Sequence, residues 1–114
     1  MRTHIIVLLI MIALIAASCS QRVQRMDALD GQTVVQVIAK FGAPAEQHEY
    51  PMSEAAGEFR AGLEKYYPMP QNRDVRIQEL TWESSRYFTT VWLHQTNGQW
   101  FIFDSLRYGK HTQF

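Results

Sequence analysis

Tyr87-Phe88-Thr89-Thr90-Val91-Trp92-Leu93-His94-Gln95-Thr96-Asn97-Gly98-Gln99-Trp100-Phe101-Ile102-Phe103-Asp104-Ser105-Leu106-Arg107-Tyr108 is the stretch that decides the fold. It is dense in aromatic and β-branched residues with a period near two, the pattern of strands. Asn97-Gly98 divides it, and this pair suits a two-residue hairpin turn because both positions tolerate positive φ. The spacing predicts strands over Tyr87–Thr96 and Gln99–Tyr108. Such a turn also sets the register: Thr96 faces Gln99, Gln95 faces Trp100, His94 faces Phe101, and the ladder continues in step. Partners share a face. One face collects Trp100, Leu93, Ile102, Val91, Leu106, Thr89, Tyr87 and Tyr108. The other collects Phe101, His94, Trp92, Phe103 and Phe88, with Thr90, Ser105 and Arg107.

Neither face alternates cleanly with polar residues, although an antiparallel sheet commonly keeps one face wet. Two arrangements fit this pattern. Either the rings are structural, with a helix and the segment 45–73 wrapping the sheet from both sides or several rings lying flat on the surface, or one aromatic face is an interaction surface, as contiguous exposed apolar patches usually are. In the second arrangement Trp92, Phe101, Phe103, Phe88 and His94 bind a protein partner. A slip of one residue would exchange the pairings.

Upstream, Val75–Glu83 reads as a third strand, with an irregularity expected near Glu79, where apolar positions pass from odd to even. The segment 45–74 is punctuated by Pro51, Pro68 and Pro70. Within it Phe59, Leu63, Tyr66 and Tyr67 share one helical face, which predicts a helix over about Ser53–Tyr66 and a loop over Tyr67–Arg73. Before that, Thr33 and Gln36 form a capping-box pattern. Val34, Val37, Ile38 and Phe41 make an apolar stripe, and Gly42 and Pro44 provide a stop. The expected fold is therefore α+β, two N-terminal helices packed on a three-stranded antiparallel sheet.

The chain begins with a short cationic start, Met1-Arg2-Thr3-His4, then an almost unbroken apolar run from Ile5 to Ala17, then small residues before Cys19. That order is a signal peptide, and the run falls short of the roughly 20 residues a membrane-spanning helix needs. Cys19 is the single cysteine, which removes any disulfide framework. Ile15-Ala16-Ala17-Ser18-Cys19 resembles the bacterial lipoprotein cleavage box. The resemblance implies a lipid on Cys19, and Ser20 in place of Asp favours the outer membrane, periplasm-facing. Acyl chains contribute roughly 0.8 kcal/mol per buried methylene, and stable anchoring takes more than one chain. The expected organisation is a signal peptide at 1–18, a polar tether at 19–27 and one domain at 28–114.

The full chain balances 11 basic against 11 acidic side chains, which leaves no electrostatic footprint for nucleic acid. Beyond the signal, the histidines are His48, His94 and His111, none at ligand spacing. Glu46, His48 and Glu49 on a polar segment read as solvated side chains. Ser53, Ser84, Ser85 and Ser105 lack a recognisable base and elbow. Glu79 and Glu83 can share a strand face, yet a carboxylate pair without a cleft is weak support for hydrolysis. No enzyme, cofactor, metal or small-molecule substrate is expected.

The order of cleavage box, tether, Leu29-x-Gly31-x-Thr33, Val37, Phe41-Gly42-x-Pro44 and then strands resembles the small outer-membrane lipoproteins of the BamE (SmpA/OmlA) type. Leu80-Thr81-Trp82 looks like that family's first strand. The resemblance implies a non-enzymatic accessory of the outer membrane and, as partner, the β-barrel assembly machinery. The segment Ala45–Asp74 is longer than that family usually shows. The rival expectation is a periplasmic binder or inhibitor of another envelope protein, acting through the loop 67–73.

Overall fold

The computed structural model describes residues 23–114. The expected signal peptide, Cys19 and the first residues of the expected tether lie outside the described residues. Asn97 and Gly98 have φ of 51° and 80°, the left-handed pair that a tight hairpin demands. Around that turn stands a five-stranded antiparallel sheet of β1 (Val23–Gln24), β2 (Glu46–Pro51), β3 (Arg76–Glu83), β4 (Tyr87–Thr96) and β5 (Gln99–Gly109). Its spatial order is β1-β5-β4-β3-β2. Among the described residues one α-helix accompanies it, α1 (Val34–Phe41), with 3-10 segments at Asp27–Leu29, Met52–Glu54 and Glu58–Lys65. The expectation of two helices on three strands is thus corrected.

The register holds as predicted for Thr96↔Gln99, Gln95↔Trp100, His94↔Phe101 and Leu93↔Ile102, then shifts, so that Trp92 pairs with Asp104 and not with Phe103. Phe103 is the extra residue of a β-bulge, a device that bends a strand and re-aims its later side chains. Beyond it the faces exchange: Ser105 and Arg107 join Val91 and Thr89, while Leu106 and Tyr108 join Thr90 and Phe88. The irregularity expected near Glu79 is absent. β3 runs in unbroken register against β4, and its apolar residues change parity because the strand is buried on both faces, Ile77 on one and Leu80 and Trp82 on the other.

Two chain excursions bury those faces. Residues between β1 and β2 cross the first, where Leu29 and Val37 join Leu80, Trp82, Val91, Leu93 and Ile102. Thr33 caps α1 by accepting the Gln36 N–H at 3.2 Å while the Gln36 side chain accepts the Thr33 N–H at 2.9 Å. Gly42, at φ 83°, ends it. The Trp82 indole N–H donates to the Gly42 carbonyl at 2.8 Å, which fastens the helix end to the sheet. The predicted stripe is buried at Val37 and half-buried at Val34 and Phe41, whereas Ile38 stands exposed.

Residues between β2 and β3 cross the second face, where Met52 and Leu63 pack with Tyr50, Ile77, Trp92 and Phe103. The helix expected over Ser53–Tyr66 is broken in two, because Gly57 takes φ 88° between the 3-10 segments. A left-handed residue stops helical propagation. β2 has no counterpart among the expected strands, since Glu46, Gln47, His48 and Glu49 are polar and exposed and only Tyr50 turns inward. Charged residues on an edge strand discourage further strand pairing. Residues 23–27, expected as tether, belong to the fold: Val23 and Gln24 pair with Tyr108 and Arg107.

Candidate functional site

The five aromatic-face residues named from the sequence divide by depth. Trp92 is 1% exposed and Phe103 7%, so neither offers a surface to a partner. Phe88, His94 and Phe101 are half-buried. Phe103 is ringed by Tyr66, Tyr67 and His94, at centroid distances of 5.2, 5.5 and 4.8 Å. Phe59 lies 5.1 Å from Trp92 and 5.4 Å from Tyr108. The aromatic face is therefore a second core under the segment 52–75, and the docking surface expected at Trp92 and Phe103 is corrected. The physical reason is that this segment, though poor in regular helix, supplies Met52, Phe59, Leu63, Tyr67 and Met69 as cover.

At the centre of that core sits a charge. Glu79 is 3% exposed. Its Oε1 accepts the Tyr50 hydroxyl at 2.8 Å, the Arg60 Nε at 2.8 Å and the Trp92 indole N–H at 2.7 Å, and its Oε2 accepts the Arg60 Nη2 at 2.8 Å. Arg60 also lies 4.9 Å over the Tyr50 ring. Burial alone would push the carboxyl up, but the bonds from Arg60, Tyr50 and Trp92 outweigh it and hold Glu79 below the usual carboxylate range. Burial first, and then the carboxylate, push the Tyr50 hydroxyl up. The donors aimed at Glu79 engage both of its oxygens, so the network fixes the positions of Tyr50, Arg60 and Trp92 around it. Glu83, on the same strand face, is instead exposed and pairs with Lys110 at 2.6 Å. The two carboxylates do not act as a pair.

His94 forms a second polar contact, with its Nδ1 2.6 Å from the Tyr67 hydroxyl and its ring stacked on Phe103. Burial holds the imidazole below its ordinary value. The unfolded chain consequently binds a proton near pH 6.5 that the folded chain refuses. Stability is expected to fall as pH drops below about 6.5, and to level once folded His94 is itself protonated. Thermal unfolding between pH 7.5 and 5 checks this: His94→Gln should flatten the decline, and an unchanged slope in that variant would remove His94 as its cause.

Near the chain's entry into the fold, Arg25 gathers three carboxylates. Its Nε donates to Asp104 at 3.1 Å and its Nη2 to Asp30 at 2.7 Å and to the Tyr66 hydroxyl at 3.0 Å, while its Nη1 meets Asp27. Asp104 is presented by the bulge next to Phe103, and Met26 exchanges backbone bonds with the Ser105 hydroxyl at 3.2 and 3.1 Å. These contacts hold residues 23–30 along the outer edge of β5. The hollow beside them, about 710 Å³, lies between Val23 and Arg86 and is floored by Gly109–Gln113. His48 and Glu46 are 3.8 Å apart and both exposed, as solvated side chains are. Among the described residues no three His, Cys, Asp or Glu side chains converge on a metal position, and no helix is long and apolar enough to cross a membrane.

No protein-family model, no curated protein and no solved structure matches the chain. Sequence reasoning missed Arg60 and Arg25 as organisers. A signal for Arg60 was present: Ile77, Glu79 and Thr81 share a strand face, and a carboxylate in a buried row requires a cation. Arg25 carried no such signal, because its partners come from positions 27, 30, 66 and 104.

Proposed function

We propose that the chain is an envelope protein held to its membrane by lipid on Cys19, and that its folded part acts by docking another protein rather than by turnover. The observation that carries this reading is the closeness of anchor and fold. The apolar run closes on Cys19, and β1 begins at Val23. The domain is thereby presented directly at the membrane surface. For a partner it offers α1, whose Val35 is 72% and Ile38 38% exposed, an apolar pair one helical turn apart. Ser20, in place of Asp after Cys19, favours the outer membrane and its periplasmic face, and the resemblance to BamE-type lipoproteins makes the barrel assembly machinery the first partner to test.

Cys19→Ala is expected to move nearly all of the protein from the membrane fraction to the soluble fraction, and mass spectrometry of the wild type should find the acylated cysteine at the mature N-terminus. A wild-type chain of unmodified mass would overturn the anchor. A photo-crosslinker at Val35 tests the second half. Capture of barrel-assembly proteins supports the reading, whereas capture of one soluble enzyme favours the inhibitor alternative.

A further inference from the structure

We infer that the end of the sheet farthest from the Asn97-Gly98 turn is a membrane-apposed surface, seated on the anionic headgroups of the bilayer that carries the chain. The inference rests on the anchor at Cys19 and goes beyond it by assigning the face and its chemistry. Four residue steps separate Cys19 from Val23, so the chain reaches at most about 14 Å at roughly 3.5 Å per residue. Whatever surrounds Val23 must therefore lie close to the lipid. Three of the six large hydrophobic residues that the described chain leaves exposed lie at this end: Val23 at 42%, Tyr87 at 41% and Phe114 at 45%. Val23 pairs with Tyr108, Tyr87 pairs with Gly109, and Phe114 packs on Tyr108 at 5.3 Å. They thus share one rim, on three separate pieces of chain.

The charges of the rim suit the same occupant. Arg86 and Arg107 make no ion pair among the described residues, and Lys110 is offset by Glu83. His111 is exposed beside them, in the hollow between Val23 and Arg86. A tyrosine and a phenylalanine flanked by arginines match the headgroup level of a bilayer, where amphipathic rings settle and cations meet anionic lipid. An exposed apolar rim against water would have no such compensation. Seated this way, the sheet stands away from the membrane, because β4 carries the chain about 30 Å from Tyr87 to Thr96 at roughly 3.3 Å per residue.

Two chains that each add one cysteine beside the lipidated Cys19 test the surface, Ser85→Cys in the turn before Tyr87 and Thr96→Cys beside the hairpin, both exposed positions. Full-length protein extracted from membranes is labelled with an environment-sensitive dye and reconstituted in vesicles of phosphatidylcholine, with or without cardiolipin. The unsubstituted chain serves as the labelling blank. Quenching by nitroxide-bearing lipid is expected to be strong at 85 and at background at 96, to increase with cardiolipin, and to lose that increase in Arg86→Glu. Equal quenching at both positions, or more at 96, overturns the proposal. So does shielding of the 85 label from an aqueous quencher without lipid quenching, which would place a protein there, a second copy included. Vesicles that float with the protein but quench neither label leave the anchor standing and overturn the surface. A chain that does not float at all removes the anchor reading and this inference together.

Discussion

Glu79→Ala is expected to lower the unfolding free energy by about 3–5 kcal/mol, the loss usual when one member of a buried ion pair is removed and the other left behind. The substitution strands the Arg60 guanidinium, the Tyr50 hydroxyl and the Trp92 indole N–H, all of which point at the missing carboxylate. Arg60 keeps 28% of its side-chain surface exposed and can turn partly to solvent, which places the effect toward the lower end. In a domain whose total stability is on the order of 5–10 kcal/mol, that suffices to populate the unfolded chain near physiological temperature. Urea unfolding measures it, and a loss under about 1 kcal/mol would mean that the carboxylate is solvated rather than buried. Replacing both partners, Glu79→Leu with Arg60→Met, should recover part of the loss, because no unpaired charge is then left inside. The pH dependence has a fixed sign. Folding depresses the Glu79 pKa, so its contribution is present above the unfolded value near 4.3 and is lost as pH falls through the folded value. Glu79→Gln should flatten the acid limb of the stability profile.

Trp92→Ala should cost about 3–5 kcal/mol by leaving a cavity in the second core. The ring is 1% exposed and packs among Tyr50, Leu63, Ile77, Phe59 and Phe103. Trp92→Phe separates the two contributions of this residue: it preserves much of the packing while removing one donor from Glu79, a loss of about 1–3 kcal/mol. Thermal unfolding of the two variants reads the difference. A Trp92→Ala chain with the wild-type midpoint would show that the segment 52–75 does not cover the sheet.

Much of the sheet was legible because hairpin chemistry is local. Asn97-Gly98 specified the turn, and with it the first four pairs of the ladder. The capping box and Gly42 bounded α1 to the residue, since a cap is a contact between neighbours in sequence. What failed was non-local. Nothing near Phe103 announces a bulge, because the groups packed around it come from distant parts of the chain: Trp92 and Leu63 against Phe103, and Arg25 reaching for the neighbouring Asp104. β1 and β2 carry no periodic signal, being short or polar edge strands whose pairing depends on a finished neighbour.

The sequence by itself determined three strands, one capped helix and a hairpin register as far as Leu93, and it places an apolar run ahead of a solitary cysteine. Each is written in residues a few positions apart, where steric preference and hydrogen bonding act before any tertiary contact exists. Only the tertiary structure decided that the aromatic face is interior, that Glu79 and Arg60 share a buried bond, and that Val23, Tyr87 and Phe114 meet at one rim. Burial is a property of which distant segment arrives to cover a surface, and two irregular excursions of this chain cover both faces of its sheet.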